Sequence, residues 1–199
     1  MFTSFFAPAR AIGLIVLLGI ISACAEHIVS DPDTVAAVRY KSDEAPYVEL
    51  VTMVKKSTGK GAHSALIINA SERVIFDPAG TFQHEELAEV EDVHHGATDR
   101  LVSYYQRYHA RFSHFVHVQR VYLDPPTAER LLLRARSNGA VGKMFCSNET
   151  AEVMKSIPQF AFFRTSMFPE NLRVDMAKVS NVEDSYVYED DDGQNVPTN

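Results

Sequence analysis

An α+β fold, an antiparallel sheet packed against helices, is predicted by three features of the chain. Three β-rich runs, PYVELVTMVKK, HSALIIN and RVIFDPAG, follow one another through short polar turns. Two later segments place apolar residues at helical spacing behind capping residues, and the strand-like run HFVHVQRVYL lies among them. A third helical run opens at the cysteine of KMFCSNETAEVM.

The elements follow in order. Arg10 is the only charged side chain before Cys24, and the apolar run AIGLIVLLGII behind it is shorter than the roughly 20 residues a membrane span requires. Residues 1–23 therefore read as an export signal. Residues 24–45, with HIVSDPDT and KSDEAP, read as a tether. The domain is expected over residues 46–180. Its first strand ends at Ser57-Thr58-Gly59-Lys60-Gly61, a turn composition; Ala70-Ser71-Glu72 joins the second strand to the third, and Pro78 and Gly80 stop the third. Thr98 caps a helix whose stripe is Leu101, Tyr104, Tyr105, Tyr108 and Phe112, which reads as packing. After HFVHVQRVYL, Asp124 caps a second helix with Pro125 in its first turn, Ala128, Leu131, Leu132 and Ala135 inward, and Gly139 past its end. In the third helix Thr150, Val153, Met154 and Ile157 share one face, and Cys146 sits one turn earlier on that side. Residues 181–199, ending YEDDDGQNVPTN, read as an acidic disordered tail.

Charge narrows the function classes. The formal net charge is -7, and loss of Arg10 with the signal makes it -7 - 1 = -8. No nucleic-acid partner is expected, since phosphate binding relies on clustered Lys and Arg. His114 and His117 have opposite parity on their strand and would face opposite sides, and Asp190, Asp191 and Asp192 lack the alternation of a calcium loop. No metal or cofactor is expected. The chain has no GxSxG elbow and no phosphate-binding glycine loop.

The chain has two cysteines. Ile21-Ser22-Ala23-Cys24 resembles the lipobox of bacterial lipoproteins, in which the cysteine carries the lipid; Ala25 follows it rather than Asp, which favours attachment to the outer membrane. Cys146 then has no partner within the chain. Two readings of it stand side by side: a small apolar residue on an inward helix face, or a thiol whose pKa the helix N-terminus lowers. On the second reading a histidine must take the proton. His63 is the candidate, at a strand end 146 - 63 = 83 residues earlier.

A His-led strand, a turn, a second strand with a polar residue near its end, and much later a cysteine opening a helix resemble the circularly permuted branch of the papain fold. That branch includes relatives of the NlpC-type cell-wall peptidases and lecithin:retinol acyltransferase. The resemblance covers roughly residues 46–178 and extends to Phe168-Pro169-Glu170-Asn171-Leu172. It implies a Cys146 nucleophile, a His63 base and a third polar residue that orients the imidazole. By position that residue is Asp77, although many relatives carry a histidine where this chain has Phe76. Asp77-Pro78-Ala79-Gly80 is also ordinary turn chemistry, a one-residue offset would aim Asp77 away from His63, and His84 is the alternative. Three functions remain: an envelope thiol hydrolase acting on an amide, most simply in peptidoglycan peptides; an acyltransferase or lipid hydrolase using the same thioester; and a lipid-anchored binding module without chemistry.

Overall fold

The computed structural model describes residues 27–189. The segment expected to be an export signal, Cys24 and the run Asp190–Asp192 lie outside the described residues. No described helix is long and apolar enough to cross a membrane.

A seven-stranded antiparallel sheet organises the domain. Its strands are β1 (Tyr47–Lys55), β2 (Lys60–Asn69), β3 (Arg73–Phe76), β4 (Ala88–Val90), β5 (Val93–His95), β6 (His114–Tyr122) and β7 (Glu183–Val187). The spatial order is β4-β5-β3-β2-β1-β6-β7. The helices are α1 (Pro32–Val38), α2 (Asp99–His109), α3 (Pro125–Arg136), α4 (Cys146–Lys155) and α5 (Pro169–Met176), with a 3-10 turn at Pro158–Phe160. The α+β class is the predicted one.

Alternation along the strands divides the core. Val48, Leu50, Leu66, Ile68, Val74 and Phe76 face α3, α4 and α5, meeting Leu131, Leu132, Val153, Met154 and Leu172. Val51, Met53, Ala65, Ile67, Ile75 and Val118 face the other way, toward Val102 and Tyr105 of α2. Each large apolar side chain buried in this way contributes about 1.5–3 kcal/mol. The expected caps form: Thr98 Oγ1 accepts from the Leu101 amide and Asp124 Oδ1 from the Thr127 amide.

Two expectations are corrected. Residues 27–45 are not a free tether: Val29 bridges to Val90, Ser30 donates to the Glu89 carbonyl, and Asp31 caps α1. This segment covers β4, which would otherwise be an open sheet edge. The acidic tail also begins later than its composition suggests, because Glu183–Val187 pairs with β6. Within it Asp184 accepts from His117 Nε2 at 2.6 Å, and Tyr186 stacks on that ring with centroids 4.5 Å apart. Alternate side chains with specific partners outweigh the net charge of the run.

Candidate active site

The site lies at the end of the sheet where β2 begins. β3 ends at Phe76, opposite Leu66, so the first residues of β2 have no β3 partner and a notch opens beside them. A β-bulge shapes it from the other side. Met53 pairs with His63 and Val54 with Gly61, which leaves Ala62 unpaired. His63 shares the face of Ala65 and Ile67 by alternation and looks toward His109 of α2, and the extra residue turns the strand just before it.

Asp77 is on that face as well, two residues beyond Ile75. The one-residue offset that would aim it away does not occur. His63 Nε2 donates to Asp77 Oδ1 at 2.6 Å, with the carboxylate wholly buried and the imidazole 22% exposed. The turn Asp77-Pro78-Ala79-Gly80 explains why a carboxylate fits there. The Gly80 amide closes it onto the Asp77 carbonyl at 3.0 Å, and Ala79 adopts φ +59°. A Cβ on Gly80 would stand 2.1 Å from Asp77 Oδ2 and 2.3 Å from Cγ. Only glycine leaves room for the acid.

Cys146 opens α4, buried at 7% exposure and unpaired with any other cysteine. No side chain caps this helix: Phe145 in the capping position makes no side-chain hydrogen bond. The first-turn amides therefore remain available to an anion. Burial pushes the Cys146 thiol up, but the hydrogen bond and charge of His63, with the amides of Ser64 and Ser147, prevail and hold it below its ordinary value. Burial likewise opposes charge on His63, yet the Asp77 carboxylate and then Cys146 raise the imidazole, to about 10. Asp77 is driven the other way: burial disfavours its charge, and the His63 charge and hydrogen bond overcome this to bring it to about 2. With Nε2 bound to the acid, Nδ1 is the ring nitrogen left to serve the sulfur.

The structure thus gathers Cys146, His63 and Asp77 and leaves His84 out. His84 packs against Tyr104, and its Nδ1 accepts from the Glu86 amide at 3.2 Å. His114 and His117 lie on opposite faces as their parity predicts: His114 borders the His63 cavity, while His117 binds Asp184. Among the described residues no cluster of His, Cys, Asp or Glu has the form of a metal site.

Several participants were not read from the sequence. Tyr105, fully buried and assigned only to a packing stripe, lies close to Asp77; burial and then that carboxylate raise its pKa well above the ordinary value. His109 stacks over His63 with centroids 6.4 Å apart and donates from Nδ1 to the Tyr105 carbonyl. Burial lowers its pKa and keeps it neutral beside a charged His63. Asp92, at the β4–β5 tip, accepts through Oδ2 from the amides of Ala79 at 3.2 Å and Val141 at 2.9 Å. One carboxylate oxygen thereby ties the loop that carries the acid to the loop that leads into Cys146. Glu170 at the start of α5 accepts from the Gly61 amide at 2.8 Å and secures the bulge. Its place in Phe168-Pro169-Glu170-Asn171-Leu172 was the one available signal; the other contacts join residues far apart in sequence.

A cavity of about 260 Å³ adjoins His63, bordered by Met53, Ala62, Gly80, Thr81, His109 and His114. A small reacting group can reach the imidazole from there. No family model, curated protein or solved structure matches this chain.

Proposed function

We propose that this protein is a thiol hydrolase of the cell envelope, built as a permuted papain-like domain and acylated on Cys146 during turnover. The observation that carries the reading is the meeting, at one end of the sheet, of Cys146 at the uncapped start of α4 with His63, whose imidazole is hydrogen-bonded to the buried Asp77 carboxylate. Structural cysteines have no need of an ionising partner, and this one has the amides of Ser64 in β2 and Ser147 in α4 besides.

The chemistry follows from the charges. Cys146 Sγ, ionised against imidazolium, attacks the carbonyl carbon of an amide, and the oxygen gains the electron pair displaced from the C=O bond. The uncapped first-turn amides of α4 are the donors proposed for that oxygen. Collapse breaks the C–N bond, and His63 gives its proton to the departing amine. The neutral imidazole then takes a proton from water, which attacks the thioester and releases the acid. Asp77 fixes the tautomer and favours the imidazolium throughout. A peptide amide of peptidoglycan is the substrate class proposed, with Cys24 carrying the lipid that holds the enzyme in the envelope, facing the periplasm.

A second reading, an acyl donor drawn from lipid, is favoured by one observation. Phe145 and Met144, immediately before the nucleophile, are 45% and 71% exposed, and Phe168 beside Gly61 is 69% exposed. The thioester step is common to both. Intact-mass measurement after incubation with muropeptides, or with phosphatidylethanolamine vesicles, distinguishes them. An adduct on Cys146 that is absent in Cys146→Ser identifies the donor; no adduct with either leaves only the binding-module function.

A further inference from the structure

Apolar tips and unpaired cations collect at the catalytic end of the sheet. Lys143, Met144 and Phe145 lead into Cys146 and are all exposed. Met167 and Phe168 precede α5, whose first residue, Pro169, lies against Gly61. Phe112, 78% exposed, precedes β6, whose first residue, His114, borders the His63 cavity. Lys55 and Lys60 flank the turn that projects from β1 and β2 at the same end, and both are exposed.

Apart from Glu149 in the first turn of α4, the acids described at this end are engaged elsewhere. Asp77 holds His63, Asp92 two backbone amides, and Glu91 the Ala140 amide and His27. Glu170 is paired with Arg173 and Glu189 with Arg107. By contrast Lys55, Lys60 and Lys143 make no ion pair among the described residues. In a chain of net charge -7, a locally cationic rim carrying aromatic tips is a specific arrangement.

The chain also arrives at this end. His27 contacts Glu91, whose carboxylate binds the Ala140 amide in the loop that leads to Lys143. Cys24 precedes His27 by three residues, at most about 10 Å of extended chain. The apolar run closes three residues before that.

We propose that this rim is a bilayer-docking surface, with Met144, Phe145, Met167 and Phe168 entering the interface of an anionic membrane and Lys55, Lys60 and Lys143 pairing with its headgroups. Apolar side chains penetrate the headgroup boundary while lysine stems reach the phosphates, and each cation near an anionic surface adds to the attraction. The anchor and the rim then act on one surface and raise the effective concentration of each other's contact. Resting on the reading of Cys146 as the nucleophile, docking would present the thiol to acyl groups at the membrane surface.

The chain contains no tryptophan, so a single one reports its own surroundings. Full-length protein carrying Phe145→Trp, Phe168→Trp or, as control, Phe162→Trp is placed on phosphatidylcholine vesicles containing about a third phosphatidylglycerol. Phe162 is 48% exposed and lies beside Tyr122, at the opposite end of the sheet. The proposal predicts blue-shifted emission, quenched by acyl-brominated lipid, at positions 145 and 168 and water-like emission at 162, with quenching lost on joint Lys55→Glu, Lys60→Glu and Lys143→Glu substitution. Equal, unquenched emission at all three positions overturns it, as does a shift produced by soluble muropeptides and not by vesicles. Cys146 alkylation measured in the same samples separates the two claims. Quenching with a sluggish thiol refutes the nucleophile and leaves the docking surface; a fast thiol without quenching does the reverse.

Discussion

Replacing Gly80 by alanine tests the site without touching a reacting group. The new Cβ would lie 2.1 Å from Asp77 Oδ2, where ordinary contact begins near 3.4 Å, so the carboxylate must retreat by roughly 1 Å. The backbone at Gly80 is not in the left-handed region, so alanine adds no torsional strain of its own. A retreat of that size opens the 2.6 Å bond to His63 Nε2 and leaves a buried carboxylate without its partner. A hydrogen bond between charged groups is worth about 1.5–3 kcal/mol, a factor of roughly ten to a hundred in catalysis. Alkylation of Cys146 responds over a narrower range, because an ordinary thiol is still about 3% ionised at pH 7, which caps the loss at roughly thirty-fold. The assay is iodoacetamide labelling of the Cys146 peptide followed by mass spectrometry, with urea unfolding as a check on the fold. Folded Gly80→Ala that labels at the wild-type rate would refute the claim that Asp77 sustains the ion pair.

Other expectations follow from the same network. Asp77 is held near 2 in the fold against about 4 unfolded, so the stability it contributes is complete above pH 4 and disappears as pH falls toward 2; Asp77→Asn should show a flatter acid limb in urea titrations. Asp92 has the opposite sign: burial, only partly offset by its two amide hydrogen bonds, raises it to about 6, so its ionisation costs stability as pH climbs from 4 to 6. Asp92→Asn should remove a difference on the order of 2 kcal/mol across that window while slowing Cys146 labelling, since an amide oxygen replaces the carboxylate that joins Ala79 to Val141. Glu170→Ala frees the Gly61 amide and loosens the bulge that aims His63, and a several-fold fall in labelling rate is expected, about 1 kcal/mol.

The order of elements was legible because hydrophobic period and capping chemistry are local. Thr98 and Asp124 announce their helices, and alternation in HSALIIN and RVIF sets which residues share a face. The parity of residues 63, 65 and 67 against 75 and 77 also contained the His63–Asp77 meeting, provided the 66↔76 register is known. That register is a tertiary fact. The bulge at Ala62, the amide clamp of Asp92 and the placement of Tyr105 against Asp77 bring together residues distant in sequence, and nothing in their local composition separates them from turn or packing chemistry. β7 escaped notice for a related reason: five residues that include Glu183 and Asp184 look solvated until His117 supplies the partner.

The pH dependence of Cys146 alkylation in the wild type and in His63→Ala bears most directly on the account. An imidazolium-held thiolate predicts rapid labelling far below the unperturbed thiol pKa of about 8.5, and a variant whose labelling rises only as pH nears that value. Superimposable profiles, both climbing late, would contradict it.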